Sequence, residues 1–402
     1  MAKRMKFPFA ILQLFVSFLL VIPPVSAGEF KGDIAAEIRL FADSPLSPDQ
    51  ERNNGSIALA PEYYHEWSSG SSFIFSPFLR IDSADSERTH FDLRELNFLF
   101  LGDPWELRLG LGKVFWGVTE FVHLVDIINQ TDLVEDIRGE DKLGQPMAHL
   151  SIPKQWGVLD LFLLPYFRER TFPGRDGRLR PPVAVDTDNP VFESGAEEYH
   201  VDFAIRYSQV FDFFDFGIYY FRGTSRDPLL LPALNPFGQP VLLPFYQLMD
   251  QIGMDLQMVA GSWLWKLEAL YQDNATQKFF AATGGFEYTF SSIGNTLMDL
   301  GFIAEFAYDD RGTEASTSFE NDLLGGLRLG INDAAGTQIL AGLGYDLDSR
   351  GNVLRLEASR RITDTLKISL EGWAFFDIEP DDPSLYSIRD DDFMRLQLFY
   401  YF

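Results

Sequence analysis

The amino-acid sequence predicts an all-β chain folded as a transmembrane antiparallel β-barrel of about 18 strands, within a range of 16–18. Three observations carry this expectation. Aromatic residues make up 15% of the chain, with 38 Phe, 15 Tyr and 7 Trp. Yet the mean hydropathy is only −0.06. After residue 27 no run of roughly 18 apolar residues occurs, which a membrane-spanning helix would need. Apolar and polar residues instead alternate over segments of about 10 residues, the period of a strand with one face in lipid and one in a polar lumen. Such a barrel dilutes its hydropathy with the lumenal half and gathers aromatics at the two membrane interfaces.

The first element is a leader. Lys3, Arg4 and Lys6 form a basic start, an apolar run follows from Phe7 to Ile22, and Val25-Ser26-Ala27 suits cleavage after Ala27. This is the three-part pattern of a secretory signal peptide over 1–27. The remaining domain, 28–402, is the barrel. Removing 1–27 takes away three positive charges and brings the formal charge from −26 to −29. The expected location is the outer membrane of a Gram-negative cell.

Eighteen alternating segments follow, at 30–41, 57–67, 72–82, 91–101, 104–116, 147–153, 156–168, 199–208, 213–222, 245–260, 263–273, 279–290, 295–309, 319–331, 336–348, 352–362, 365–377 and 391–402. In 353–361, Leu354, Leu356 and Ala358 oppose Arg355, Glu357, Ser359 and Arg361. In 263–271, Trp263, Trp265, Leu267 and Tyr271 oppose Lys266 and Glu268. A helix would mix these charges into its apolar face, whereas a strand separates them. Every second connection is short and rich in turn formers, such as SSGS, GDP, AGS and SSIGN. The alternate connections are mostly longer and polar, with QDNATQK and DSRGN as short exceptions. Short periplasmic turns and longer surface loops fit an outer-membrane barrel.

The last segment, RLQLFYYF, alternates to the final Phe402. It reads as the strand that closes the barrel against the first one, because an open edge in lipid would leave unpaired backbone groups. Leu398, Tyr400 and Phe402 form the pattern expected of a signal for the barrel assembly machinery.

By the same parity, Arg108, Arg206, Lys266, Glu268, Arg328, Arg355, Glu357, Arg361, Lys367, Glu371 and Arg395 face the lumen. Charges of both signs can line a water-filled path, or pair with one another in a closed interior. The connection 117–146 is too long for a tight loop and too apolar for a solvated one. Phe121, Leu124, Val125 and Ile128 recur at helical spacing, so a partly helical loop folding into the barrel is expected. It would bring Glu120, Asp126, Asn129, Asp132, Glu135, Asp136 and Arg138 to a constriction. The stretch 169–198, flanked and crossed by Arg168, Arg170, Arg175, Arg178 and Arg180, reads as a second gating loop or an ordinary exposed one.

No catalytic pattern, metal site or cofactor motif is found. The five histidines, His65, His90, His123, His149 and His200, carry no H-E-x-x-H arrangement, and G-x-S-x-G and phosphate loops are absent. His65 with Ser72 or Ser76 is the one pair a barrel hydrolase could use, and an interfacial histidine is the plainer reading. The acidic stretch around Asp377, Asp381, Asp382, Asp390, Asp391 and Asp392 lacks calcium-loop spacing and reads as a surface loop. No cysteine is present for a disulfide, and the acidic balance opposes nucleic acid.

Residues 112–146 (GKVFWGVTEFVHLVDIINQTDLVEDIRGEDKLGQP) and 160–182 (DLFLLPYFRERTFPGRDGRLRPP) resemble a family of porin-like outer-membrane proteins of Gram-negative bacteria. Trp116, Gly117, Asp126, Asn129 and Asp132 also look like an element found after an early strand in other barrel proteins. Gln130-Thr131 stands where that distant group has proline. The resemblance implies a porin-like channel for passive passage of small solutes and names no substrate. Its partners would be outer-membrane lipid and lipopolysaccharide, the assembly machinery and the solutes, with a homo-oligomer left open. A partner-holding sheath and an uptake channel for hydrophobic substrates are the alternative functions.

Overall fold

The computed structural model describes residues 28–315, 317–380 and 382–402. The expected signal peptide, 1–27, and Asp381 lie outside the described residues.

Eighteen strands form one closed antiparallel wall: β1 (Gly28–Phe41), β2 (Asn53–Glu66), β3 (Ser72–Asp82), β4 (His90–Leu101), β5 (Glu106–Gly112), β6 (Gln145–Lys154), β7 (Gly157–Leu164), β9 (Asp202–Val210), β10 (Phe214–Thr224), and β13 (Leu248–Ala260). The wall continues through β14 (Trp263–Asn274), β15 (Lys278–Phe290), β16 (Asp299–Asp309), β17 (Asn321–Gly330), β18 (Gln338–Asp346), β19 (Asn352–Arg361), β20 (Leu366–Phe376) and β21 (Phe393–Tyr401). Each pairs with the next wall strand, and β21 returns to β1 with Asp33 opposite Tyr401 and Phe41 opposite Phe393. Gly32 and Phe402 exchange both backbone hydrogen bonds at 3.0 and 3.1 Å, so the seam is zipped to the last residue. β8 (Val191–Phe192), β11 (Leu229–Leu234) and β12 (Pro240–Tyr246) form a separate three-stranded sheet within the long connections.

Alternation sets the two faces. Ile34, Ile38, Ile57, Ile252, Leu323, Leu354 and Leu396 are exposed on the outer face, with Leu398, Tyr400 and Phe402 beside them. Near the short-turn end, Trp263 stands opposite Tyr288, with ring centroids 4.7 Å apart, and Trp265 opposite Phe286. Near the long-loop end, Tyr271 stands opposite Phe280. These rows are the two aromatic girdles of a barrel in lipid. Cross-strand aromatic contacts of this kind contribute about 0.5–1.5 kcal/mol each beyond their buried area.

One irregularity sets where charges point. Ser76 pairs with Glu95 but Pro77 pairs with Leu93, so Arg94 is an extra residue in β4. Proline has no N–H for the ladder, which makes this a natural place for a bulge. Because the register slips by one, Asp92 and Arg94 turn inward above the bulge, and Asn97 turns inward below it.

The lumen holds a core of its own. Trp116, Val125, Ile127 and Ile128 from the connection between β5 and β6 pack on Met147, Phe162, Leu164, Ala204, Tyr219, Phe221 and Met249 from the wall. Residues 113–144 therefore fold into the barrel, as the apolar content of this stretch demands. They do so without any helix, which corrects the expected partly helical loop. Six backbone N–H groups between Val118 and Val125, which a helix would satisfy internally, are taken instead by the wall carboxylates Glu268 and Glu305.

Candidate functional site

The inward segment, here called the plug, leaves the wall at Lys113. Its amide donates to Glu95 at 3.3 Å, and the next amide, Val114, donates to Asn129 Oδ1 at 2.8 Å. Asn129 Nδ2 donates to the carbonyls of Gly112 and Leu143 at 2.9 and 2.8 Å. One fully buried amide side chain thus pins the entry and exit of the segment together.

Two wall carboxylates hold the turns between. Glu268 on β14 is fully buried and accepts five hydrogen bonds, from the amides of Val118, Thr119, Leu124 and Val125 and from the Thr119 hydroxyl. Glu305 on β16 accepts from the amides of Glu120 and Phe121 at 2.8 and 3.2 Å. Hydrogen bonds to a charged acceptor contribute about 1.5–3 kcal/mol each. Phe121 then enters a socket in the wall. A Cβ placed on Gly342 would stand 2.8 Å from its ring, and one on Gly326 3.0 Å away, so only glycine leaves room for the ring.

The opposite side is fastened by ion pairs. Glu135 meets Arg80 at 2.6 Å, and its carbonyl accepts from Arg39 and Arg395 at 3.0 and 3.2 Å. Asp132 meets Arg94 at 2.6 Å and accepts from the Thr171 hydroxyl at 2.6 Å. Asp136 pairs with Arg138 at 2.7 Å, and Arg138 reaches Glu357 on β19 at 2.6 Å. The Ile128 carbonyl accepts from Arg226, which pairs with Asp202 at 3.0 Å. Burial opposes ionisation of Glu135 and Asp136, and the guanidiniums of Arg80 and Arg138 outweigh it, holding both carboxyls below their ordinary range. Burial prevails at Asp126 and raises its carboxyl, despite Lys142 at 3.2 Å.

Of the seven residues expected at a constriction, Asp126, Asn129, Asp132, Glu135 and Asp136 are buried within the plug and its fastenings. Glu120 and Arg138 remain half-buried at its surface. Glu120 pairs with Arg328 and, at 3.7 Å, with Lys266. Among the residues expected in the lumen, Arg206 pairs with Asp255 at 2.7 Å and lies 4.9 Å over Trp116. Arg355 pairs with Glu357, and Arg395 with Glu371. Arg108 lies along Gly112, while Arg361 and Lys367 sit opposite each other near the short turns, with Arg361 over Tyr401.

The second arginine-rich stretch crosses the mouth. Arg178 is buried, pairs with Asp391 at 2.6 Å and lies 4.3 Å over Phe41. Arg168 pairs with Asp92, Arg170 with Asp227 and Arg175 with Asp49. Arg180 donates to the carbonyls of Pro181, Pro182 and Arg175. Through Asp49, Asp227 and Asp391 this strap ties the β7–β9 connection to the β1–β2, β10–β11 and β20–β21 loops. Asp382 caps a single helical turn, Pro383–Tyr386, at Leu385 N, and among the described residues no acidic group has a metal-binding arrangement. His65 packs edge-on to Trp67 at 4.7 Å.

A closed 18-strand wall with an apolar outer belt, aromatic girdles and a polar, partly plugged lumen defines a porin-like transmembrane β-barrel. Among solved structures, the chain is similar at low identity to porins. A triple mutant of Rhodopseudomonas blastica porin aligns with 93% of this chain and 100% of its own, at 11% identity and a TM-score of 0.44. Pseudomonas putida OprB aligns over 94% of each chain, at 11% identity and a TM-score of 0.46. No protein-family model and no curated protein matches the chain.

Proposed function

We propose that the protein is an outer-membrane channel for passive passage of small solutes, with the plug, residues 113–144, narrowing the path. The observation that carries this reading is how the plug is held. Its fastenings come from β1, β3, β4, β14, β16, β17, β19 and β21, on many sides of the lumen. A segment so fixed sets an aperture, and a wall lined by paired charges of both signs provides a wetted surface beside it. The lumen is occupied by the chain's own residues, which supports a channel over a barrel that sheathes another protein.

The test is planar-bilayer recording of the refolded chain 28–402, beside a variant lacking residues 120–140. The reading expects discrete ohmic steps that grow on deletion. A parent that stays silent while the deletion variant conducts would make the plug a seal rather than an aperture. Silence from both would overturn the channel reading.

A further inference from the structure

A cavity of about 1780 Å³, its open mouth included, lies between the plug and the long-loop end of the barrel. Its wall breaks the alternation rule. Leu270 on β14, Phe279 on β15, Leu324 on β17, Val353 on β19 and Phe375 on β20 all occupy lumen-facing positions, where a water-filled channel would place polar groups. Two separate apolar clusters border the chamber, one of Leu270, Phe279 and Ala281, the other of Val353, Phe375 and Leu385. The plug adds Leu133 and Ile137 to the lining.

The lysine and arginine side chains of the lining are all matched. Arg138 pairs with Asp136 at 2.7 Å, Lys142 with Asp126 at 3.2 Å, Arg226 with Asp202 at 3.0 Å and Arg311 with Asp309 at 2.6 Å. Arg170 pairs with Asp227, and Arg355 with Glu357. A charged solute would have to displace one of these partners or lose its hydration without a counter-ion, whereas an uncharged solute does neither. One neutral polar group stands apart from the pairs. The Gln272 side chain is nine-tenths buried, lines the chamber and makes no hydrogen bond among the described residues. Gln272 stands directly opposite Phe279, with Leu270 two residues along the same face of β14. A side-chain amide both donates and accepts, so beside an aromatic ring it matches a hydroxyl carried on a flat apolar body.

We propose that this chamber binds small uncharged aromatic alcohols, with the ring on the apolar lining beside Phe279 and the hydroxyl on the Gln272 amide. This names a solute class for the channel proposed above and rests on that reading for its role. The binding itself is measured separately.

The test uses the full barrel in lipid nanodiscs, with 4-fluorobenzyl alcohol as probe and 4-fluorobenzoate as the same ring carrying a charge. Fluorine NMR line broadening reads binding, empty nanodiscs give the contribution of lipid, and bilayer current is recorded in parallel. The expected result is broadening of the alcohol beyond that in empty nanodiscs, reversed by excess unlabelled benzyl alcohol, with the benzoate bound about tenfold more weakly or less. Gln272→Met keeps the side-chain length and removes the amide, and it should weaken binding of the alcohol about fivefold. Leu324→Asn restores a polar group to a lumen-facing position, so it carries the test if Gln272→Met does not fold, and it too should weaken binding. Broadening no greater than in empty nanodiscs, equal affinity for the benzoate, or equal affinity in the parent and both variants overturns the proposal even if the protein conducts. Reversible, variant-sensitive binding in a barrel that passes no current upholds the site and overturns the channel reading instead.

Discussion

Glu268 and Thr119 stand 149 residues apart in the chain, yet the Glu268 carboxylate accepts both the Thr119 amide, at 3.0 Å, and its hydroxyl, at 2.7 Å. A wall strand thereby supplies the cap that a turn in the lumen cannot supply for itself.

Replacing that carboxylate should release the turn. Glu268→Ala leaves the amides of Val118, Thr119, Leu124 and Val125 without their acceptor, and each buried unsatisfied donor costs about 1–3 kcal/mol. The expected outcome is faster proteolysis within 118–125 and larger unitary conductance, while the heat-dependent gel shift of the folded barrel persists. Unchanged cleavage and conductance would show that the plug is held elsewhere.

The glycine socket makes a second, quantitative prediction. Gly342→Val drives a side chain against the Phe121 ring and should destabilise plug seating by about 1–3 kcal/mol, the usual range for overpacking. Phe121→Ala in the same chain removes the collision. Hydrogen exchange of plug amides in the two single variants and the double variant should therefore be strongly non-additive. Simple additivity would place the ring outside the socket.

Acidity should tighten the mouth. Glu320, before β17, is pushed up from 4.5 to about 7, first by burial and then by Asp382, Asp346 and Asp348 nearby. A carboxyl with a raised native value favours the packed loops most fully below its ordinary value, and that stability is lost as pH rises through 7. Exchange of amides in 311–320, corrected for intrinsic rates, should accelerate between pH 5 and pH 8. Glu320→Gln should flatten this dependence; a variant with the parent's profile would assign the titration to another group.

Strand number, order and facing were legible because a period of two runs through the wall segments, broken at the bulge in β4. Where it misled, the chain departs from the wall while keeping the pattern. Segment 104–116 continues through Val114 and Trp116, but β5 ends at Gly112, because Asn129 captures the Val114 amide and Trp116 joins the lumenal core. The spacing of Phe121, Leu124, Val125 and Ile128 suggested helix. The same spacing instead sends Phe121 to the glycine socket and Val125 and Ile128 to the core. Arg94 faces the plug through a bulge that only Pro77 hinted at. The hairpin of β11 and β12 was signalled by LLLPAL and PVLLPFY around Asn235-Pro236-Phe237-Gly238-Gln239, a signal hidden inside a connection read as loop. The residues expected at a constriction followed from the length and apolar content of 117–146, which say nothing of what those side chains meet. Their partners lie far off in the chain, and no local pattern encodes such pairings.

The distribution of the plug's fastenings along the chain has a consequence for biogenesis. Arg39, Arg80 and Arg94 precede the plug, but its partners on β14, β16, β17, β19 and β21 follow it by 143 to 260 residues. Contacts this distant in sequence form late. During insertion the segment must wait, unseated, until nearly the whole wall exists, so pulse-labelled exchange should show 118–136 gaining protection after the β1–β2 hairpin and not before it. Seating then reports completion: a wall missing its final strand lacks Arg395, so the plug seats fully only in a barrel that has closed.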